Sequence, residues 1–241
     1  MSVFSYSLNE VEEKTFADEL SVLTFNTCAL PSVLPKWFGG MPPVNERKEE
    51  VVDFIHQQDA DLVCLQEVWD PYFRKFLVEE LKEEYPHIFT KIGPSCWGMD
   101  SGLFIASKYP VIETLYIPYD NNGSIPDRVI HRGVFTFKIG GHKIGVTHLQ
   151  PGSTKREIRR SQVAQIPEDC EILIGDLNTQ DEEELSEFFS NYINSYQGPA
   201  THPDDQKMQD YILIQGKQLS QIESYETGCS DHLALKATIK F

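Results

Sequence analysis

The chain lacks several features that mark other classes of protein. No apolar run approaches the roughly 20 residues that a membrane-spanning helix requires, so we expect no transmembrane segment. Residues 1–20 carry acidic side chains without a basic stretch followed by an apolar one, so no classical export signal is expected. The five cysteines form no CxxC pair, which predicts reduced, buried thiols and a cytoplasmic protein, with delivery by a specialised secretion system left open.

Basic side chains are scarce relative to acidic ones. The 241 residues include 21 Lys and Arg against 37 Asp and Glu, which gives a formal net charge of −16 at pH 7. A negative field of this kind repels nucleic-acid backbones, so binding of duplex nucleic acid is disfavoured. The negative charge does not disfavour binding of a single phosphate group whose own charge is neutralised by a metal ion.

Apolar residues make up 40% of the chain and fall in short runs whose spacing alternates between that of strands and that of helices. Without a repeat, a low-complexity tract or a linker, we expect one domain over residues 1–241, with an acidic segment at 1–20. Mixed strands with intervening helices predict an α/β fold of two packed sheets with helices outside. The predicted strands cover 21–25, 61–68, 101–107, 111–117, 132–139, 143–146, 171–175, 210–215 and 233–241, and the predicted helices cover 46–58, 71–85, 155–165 and a short acidic segment from 182.

Local signals fix several of these boundaries. Asn45 is a candidate cap for the first helix, and Asp70 before Pro71 is typical of a second helix start. The stretch Thr179-Gln180-Asp181-Glu182 predicts a capping box. Gly140-Gly141 between two apolar runs predicts a β-hairpin.

Polar side chains follow several strands at the point where each strand ends. Because ligand sites of α/β proteins form at strand ends, these side chains are expected to meet at one rim. Carboxylates, carboxamides and imidazoles are the groups that hold Mg²⁺ and promote cleavage of a phosphate ester. Taken singly, each also fits a cap, a loop or the surface. The candidates are Asn26, Glu67, His148, Asp176, Asn178, Asp210, Asp231 and His232.

The stretch Gly175-Asp176-Leu177-Asn178 is the most specific of these signals. Glycine allows close approach of the backbone, and an Asp and an Asn two residues apart can point to one side of a turn. Asp176 is suited to accept a proton from water while Asn178 holds that water or a phosphate oxygen. The alternative is an Asx turn before the following helix.

Two histidines are candidates for contact with the phosphate. A carboxylate bonded to the ring of His232 would fix its tautomer and favour the charged form, and both Asp210 and Asp231 are candidates for that carboxylate. His148 ends a strand and is suited to donate a proton to the leaving oxygen or to stabilise phosphoryl charge. A histidine satisfied within the core remains the alternative for each.

The order of these motifs resembles the endonuclease/exonuclease/phosphatase superfamily of Mg²⁺-dependent phosphoesterases over about residues 22–241. Within it, the chain is most similar to neutral sphingomyelinases. The motifs that carry the resemblance are Asn26, Gln66-Glu67-Val68-Trp69, Ser101 to Pro110, Thr147-His148-Leu149-Gln150, Gly175-Asp176-Leu177-Asn178, Asp210-Tyr211 and Ser230-Asp231-His232.

The resemblance implies a four-layer α/β sandwich that hydrolyses a phosphodiester by metal-assisted, in-line attack of water. It places Asn26 and Glu67, with Asp231, near Mg²⁺ or alternatively Mn²⁺, and Asp176 and Asn178 on the water. It also implies that Asp231 and Asp210 support His232, which binds the scissile phosphate with His148.

Two departures from the family pattern are visible. Members commonly have Arg before the apolar residue that precedes the Asp-Tyr pair, whereas this chain has Met208-Gln209, so a local basic contact is expected to be missing. The long C-terminal or transmembrane extension of some animal sphingomyelinases is also not expected here.

The substrate is the least determined property. Trp37 and Phe38 lie on an apolar, Pro- and Gly-rich stretch that could dip into a membrane surface. The alternative, which the usual burial of aromatic residues favours, is that these rings cover the edge of the sandwich. Arg132 is a candidate phosphate contact. The basic cluster at 155–160 is small for a nuclease and fits a solvated helix face.

We therefore expect a sphingomyelinase-like lipid phosphodiesterase. Nuclease or inositol-polyphosphate phosphatase activity on the same scaffold is the first alternative, and a non-catalytic binding protein is the second. The sequence leaves the number of metal ions and the oligomeric state open.

Overall fold

Two β-sheets form the centre of the protein, as the sequence predicts. The computed structural model describes residues 4–7, 16, 18–31, 41–95, 99–120, 123, 130–216, 218–219 and 222–241. The predicted membrane-contact residues Trp37 and Phe38 lie outside these ranges. Strands of the first sheet are β1 (Phe4–Ser7), β2 (Glu19–Ala29), β3 (Leu62–Val68), β4 (His87–Thr90), β5 (Phe104–Ser107), β11 (Gln218–Leu219), β12 (Glu223–Tyr225) and β13 (Ala234–Lys240). Those of the second are β6 (Ile112–Pro118), β7 (Gly133–Ile139), β8 (His142–His148), β9 (Ile172–Asp176) and β10 (Asp210–Ile214).

Both sheets are mixed. The first runs in the order β1-β4-β5-β3-β2-β13-β11, with β12 also paired to β13, and the second in the order β10-β9-β8-β7-β6. The β2–β3 and β8–β9 pairs are parallel, while the neighbouring pairs β13–β2 and β10–β9 are antiparallel. The predicted hairpin is present, since Ile139 pairs with His142 across Gly140-Gly141.

Four α-helices among the described residues cover the outer faces of the sheets. They are α1 (Lys48–Gln58), α2 (Pro71–Leu81), α3 (Arg156–Val163) and α4 (Glu182–Phe188). Val51 and Phe73 of α1 and α2 pack on Leu23 and Val63 of the first sheet. Leu185 of α4 packs on the second sheet with Leu173 and Leu213.

The largest apolar cluster lies between the sheets. It combines residues of both, such as Val22, Cys64, Val146 and Ile174. The order helix, sheet, sheet, helix confirms the predicted four-layer α/β sandwich. None of the described helices is long and apolar enough to cross a bilayer.

The helix starts are partly as predicted. The Asp70 side chain accepts from the backbone N–H groups of Tyr72 and Phe73, both at 2.9 Å, so it caps α2. Asn45 does not cap α1, because it lies in a short 3₁₀ turn and α1 begins after Arg47. Thr179 does not cap α4 either.

Asp181 takes the capping position of α4 instead. Its carboxylate accepts from the N–H of Glu184 at 2.8 Å. The hydroxyl of Thr179 is engaged elsewhere, in a 2.8 Å hydrogen bond with the hydroxyl of Tyr211. The predicted capping box is therefore two residues too early.

The strand predicted from residue 101 begins at Phe104. The Asp100 carboxylate accepts from Gly102 N at 2.9 Å, and the Ser101 hydroxyl accepts from Leu103 N. These side chains take the backbone donors that a sheet ladder would need. Among the described residues, Cys28, Cys64, Cys170 and Cys229 are buried and form no disulfide bond.

Candidate active site

The inward-facing side chains of the second sheet are apolar along each strand and become polar at one end. Ile174 of β9 and Val146 of β8 lie in the core between the sheets, and Asp176 and His148 are the next side chains on the same face. The strand register places His148 on one side of Asp176 and Asp210 on the other. Three candidate residues therefore come from adjacent strand ends.

The first sheet supplies its candidates from the facing rim. Asn26 lies opposite Gln66 on β3 and continues the inward face of β2. Simple alternation would turn Glu67 toward the helices, but its φ of 60° reorients the chain. Cys28 interrupts β2 in the same way with a φ of 47°. Left-handed backbone at non-glycine residues costs about 1 kcal/mol or more, so the surrounding structure must hold both turns.

The two rims enclose a cavity of about 240 Å³, which we call the active-site cavity. It brings together the predicted residues of both sheets and of the loop before β13, while Asp210 lies beside it, bonded to His232. Its lining comprises Asn26, Glu67, His148, Pro151, Gly152, Asp176, Asn178, Gln180, His202, Lys207, Gln209, Asp231 and His232.

Asp176 is held from both sides. Its Oδ2 accepts from Asn26 Nδ2 at 3.1 Å, and its Oδ1 accepts from the backbone N of Asn178 at 3.0 Å. Burial first, and then repulsion by Asp210, raise the pKa of Asp176 against the opposing effect of His232. A carboxylate with a raised pKa is a better proton acceptor from water.

Asn178 combines both readings of its motif. The hydrogen bond from its backbone N to Asp176 is the Asx turn considered as an alternative. Its side chain nevertheless lines the cavity and donates through Nδ2 to the carbonyl of Leu149 at 3.2 Å. The φ of 50° at Asn178 is one that asparagine tolerates better than most residues.

His148 lies between two carboxylates. Its Nε2 is 3.5 Å from Asp176 Oδ2 and 3.8 Å from Glu67 Oε1. Burial, with the positive charges of Arg132 and His232, lowers the pKa of His148 well below its usual value. The ring is therefore neutral at pH 7, with Nε2 facing the cavity carboxylates.

His232 is held in the opposite protonation state. Its Nδ1 is 2.7 Å from Asp210 Oδ2. Burial alone would lower the pKa of His232, but Asp210, followed by Asp176 and Asp231, raises it to about 10. The ring is a cation at neutral pH, and the carboxylate bonded to it is that of Asp210.

The loop of His232 is tied to the first sheet by Ser230. The Ser230 hydroxyl donates to the carbonyl of Asn26 at 2.6 Å and accepts from the backbone N of His232 at 3.2 Å. One serine thus fixes the distance between Asn26 and His232. This contact explains the serine of the Ser230-Asp231-His232 motif.

Arg132 occupies a position different from the predicted substrate contact. It is buried, and its Nη1 donates to the backbone carbonyls of His148 at 3.3 Å and Leu149 at 3.1 Å. Arg132 is not part of the described cavity lining. We correct its assignment to support of the His148 segment.

Several lining residues were not predicted from the sequence. Lys207 Nζ donates to Gln180 Oε1 at 2.7 Å, and Gln180 Nε2 donates to the carbonyl of Asn178 at 2.9 Å. Lys207 stands directly before the Met208-Gln209 pair that departs from the family pattern. Its backbone pairs with His202, which forms a short bridge at the cavity wall. In the sequence, Lys207 stands next to the position where the family commonly has arginine, and this was the signal that could have predicted it.

A buried ion pair connects two loops of the wall. Arg159 of α3 bonds both carboxylate oxygens of Glu184 of α4, at 2.6 and 3.0 Å. Arg159 also donates to the carbonyl of Gly152 at 2.8 Å, and Glu184 accepts from Gln180 N at 3.1 Å. Gly152 and Gln180 both line the cavity, so the Arg159–Glu184 ion pair holds these two parts of the wall at a fixed separation.

The donor set of the cavity fits a hard divalent cation. Burial raises the pKa of Glu67, and Asp210 Oδ1 is buried without a hydrogen-bond partner among the described residues. Crowded carboxylates short of positive partners are stabilised by such an ion. Ligand atoms of Asp176, Asp210 and His232 also lie within 4.8 Å of one another. His232 Nδ1 is already bonded to Asp210, and the set Asn26, Glu67 and Asp231 stays a prediction.

The sequence profile of the Endonuclease/Exonuclease/phosphatase family matches residues 23–232. The chain belongs to this family. Sphingomyelinase C 2 of Leptospira interrogans is 28% identical over 150 residues, which is 55% of this chain and 24% of that protein. Sphingomyelinase C of Bacillus cereus is 30% identical over 170 residues, 60% of this chain and 48% of that protein. The chain thus spans less than half the length of these relatives.

Solved structures share the fold. Sphingomyelinase C from Streptomyces griseocarneus superposes with a TM-score of 0.71 at 18% identity, covering 91% of this chain and 99% of that one. A mutant of beta toxin from Staphylococcus aureus with bound magnesium ions gives 0.69 at 19% identity, with the same coverage. TDP2 from D. rerio in complex with a single strand DNA product gives 0.67 at 16% identity, covering 92% and 99%.

Proposed function

We propose that the protein is a Mg²⁺-dependent phosphodiesterase acting on a lipid phosphoester of the sphingomyelin type. The observation that carries the proposal is the convergence of Glu67, Asp176, Asn178 and His232 on one cavity. Family membership supports the reaction class. The sphingomyelinases among the relatives support the substrate class.

The protein side chains divide the chemistry between them. Asp176 accepts the proton of the attacking water, and Asn178 orients that water in line with the leaving oxygen. The His232 imidazolium and the Nε2–H of neutral His148 donate hydrogen bonds to the phosphoryl oxygens, where negative charge increases in the transition state.

Asn26, Glu67 and Asp231 would hold the metal ion. When bound, it supplies positive charge to the phosphoryl group. Oxygen ligands of this kind favour Mg²⁺ or Mn²⁺ over softer metals. The beta toxin structure with magnesium ions supports Mg²⁺ as the first candidate.

A nuclease on the same scaffold is the main rival, since TDP2 with DNA has the same fold. Proteins that track a nucleic-acid backbone neutralise many phosphates with Lys and Arg. Lys207 is the single Lys or Arg in the described cavity lining, and the chain carries a net charge of −16. Both facts favour a substrate with one phosphate.

A parallel assay separates the proposals. Pure protein with Mg²⁺ is incubated with sphingomyelin vesicles, plasmid DNA and an inositol polyphosphate, beside the variant Asp176→Asn and the exposed control Asp169→Asn. We expect release of phosphocholine from vesicles by the wild type and by D169N, with loss of several orders of magnitude in D176N. Nicking of DNA alone would refute the lipid assignment, and binding without any turnover would refute the enzyme.

A further inference from the structure

A second cavity of about 550 Å³ adjoins the active-site cavity, and we call it the side cavity. Gln180 and Lys207 line both cavities, so the two meet at these side chains. A phosphodiester carries two organic groups, and the active-site cavity of about 240 Å³ is small for more than the phosphate and its surroundings. The side cavity offers room for one of these groups.

Lys207 stands at the junction with an ammonium that no described carboxylate contacts. Its hydrogen bond goes to the amide oxygen of Gln180, which is neutral. Gln180 is itself fixed by its bond to the carbonyl of Asn178 and by the bond from its N–H to Glu184. The ammonium is therefore held in place with its charge available to an anion.

Other residues of the side-cavity lining favour a different kind of group. Leu185, Tyr196 and Met208 give it apolar surface. Asp181 and Glu182 are exposed and line the same cavity, so they repel an additional negative charge and attract a positive one. An aromatic ring beside carboxylates is the setting in which proteins bind methylated ammonium groups.

We infer that the side cavity is a subsite for the alcohol group that stays on the phosphate, and that Lys207 binds a phosphate oxygen at its entrance. The ligand class is a single phosphate ester of an uncharged or cationic alcohol, of which phosphocholine is the probe. Sphingomyelin and phosphatidylcholine both present this group. The inference rests on the proposed function and excludes ligands with a second phosphate.

Charge reversal on the wall tests the subsite. In Glu182→Lys a cavity carboxylate becomes a cation, whereas Glu183→Lys makes the same change one residue later in α4, outside the side-cavity lining. The assay is hydrolysis of bis-p-nitrophenyl phosphate. Its inhibition is measured with phosphocholine, inorganic phosphate and inositol bisphosphate. Calorimetric titration of each ligand provides a readout that needs no turnover.

The wild type and E183K should prefer phosphocholine over both other ligands. In E182K the affinity for phosphocholine should fall about five-fold, and inositol bisphosphate should bind more tightly. Changes of this size are expected when one nearby charge is reversed. Lys207→Met should raise KM for the diester about ten-fold or more with a smaller change in kcat, unlike the exposed control Lys75→Met.

The outcomes separate the two proposals. If the wild type hydrolyses the diester but E182K and E183K respond alike, the subsite is wrong and the enzymatic function stands. If the wild type has no turnover, the function fails and the calorimetric comparison alone decides the subsite. Binding of inositol bisphosphate more tightly than phosphocholine by the wild type would overturn the inference in either case. Turnover of sphingomyelin against phosphatidylcholine vesicles distinguishes the two sources of the group.

Discussion

His148 and His232 line one cavity in different protonation states, and their neighbours account for the difference. His148 is buried and has the positive charges of Arg132 and His232 nearby, so its pKa is lowered. His232 has Asp210 at 2.7 Å, so its pKa is raised. The pair thus presents one neutral ring and one cation to the same cavity, although both residues are histidines.

Asp210→Asn tests the charge on His232. The amide keeps the size of the side chain but removes the negative charge, so we expect the pKa of His232 to fall and kcat to drop about 10²-fold or more. Titration of the His232 ring by NMR measures the first effect and steady-state kinetics the second. A lowered rate with an unchanged His232 pKa would contradict the assigned role.

The variant Gly175→Ala tests whether β8 and β9 must approach closely beside Asp176. Its φ is 136°, and an added Cβ would lie 2.0 Å from the backbone carbonyl oxygen of Thr147. Gly175→Ala is therefore expected to lower the free energy of unfolding by about 3 kcal/mol or more. Gly141→Ala is the control, because its φ is also positive but its Cβ meets nothing within 4 Å. Equal losses in urea denaturation would show that the close approach is unimportant.

Helices α3 and α4 do more than cover the second sheet. Their buried pair Arg159–Glu184 reaches the backbone of both loops at the cavity wall. The exposed pair Arg160–Glu187 joins the same helices without touching a loop. The position of the wall thus depends on one ion pair that is removed from solvent.

Removal of either partner of this pair should be costly. We expect Arg159→Met and Glu184→Gln each to lower the free energy of unfolding by about 3–5 kcal/mol, because the remaining polar group is left buried without its partner. Arg160→Met, at an exposed site, should cost less than about 1 kcal/mol. Chemical denaturation of these three variants and of the double variant Arg159→Met with Glu184→Gln measures the coupling energy between Arg159 and Glu184. Additive effects in the double variant would refute a direct pair.

Much of this arrangement could be predicted because core and site share strands. The apolar periodicity that located β8 and β9 also placed His148 and Asp176 at their ends, while β2 runs three residues beyond Asn26, the residue predicted to follow it. Glu67 needed more than periodicity, since its orientation depends on a left-handed turn. Lys207 and the Arg159–Glu184 pair depend on contacts between distant segments, which spacing along the chain does not encode. The Thr179 cap failed because Tyr211, from another strand, competes for the hydroxyl.

Four carboxylates, those of Glu67, Asp176, Asp210 and Asp231, lie at or beside one cavity, and this should make the stability of the metal-free protein sensitive to pH. The raised pKa of Asp176 means that the folded state holds its proton more tightly than the unfolded state, so stability falls as pH rises above its usual value of 3.8. The raised pKa of His232 acts in the same direction, since its contribution is full below 6.5 and is lost as pH rises toward about 10.

Thermal denaturation in chelator and in Mg²⁺ tests this. In chelator the Tm should fall between about pH 6 and about pH 9, and added Mg²⁺ should raise it more at the higher pH, where protons no longer compete for the ligands. At a concentration of 100 Kd the ion would add about 2.7 kcal/mol. The variant Glu67→Gln should lose most of that increment. An equal Tm with and without Mg²⁺ at both pH values would refute a metal site here.

Strands β8 and β9 carry both core residues and cavity residues, so under the proposed function a mutation in the core also affects catalysis. A truncation such as Ile174→Ala lies one inward position from Asp176 and would let β9 settle against the opposite sheet. Such a change would shift the Asp176 carboxylate, whose alignment under the proposed function matters to a fraction of an ångström. Gln197 to Ala200 of the side-cavity lining lie outside the strands and outside the apolar clusters. Substitutions there are therefore expected to cost less stability than substitutions in β8 and β9.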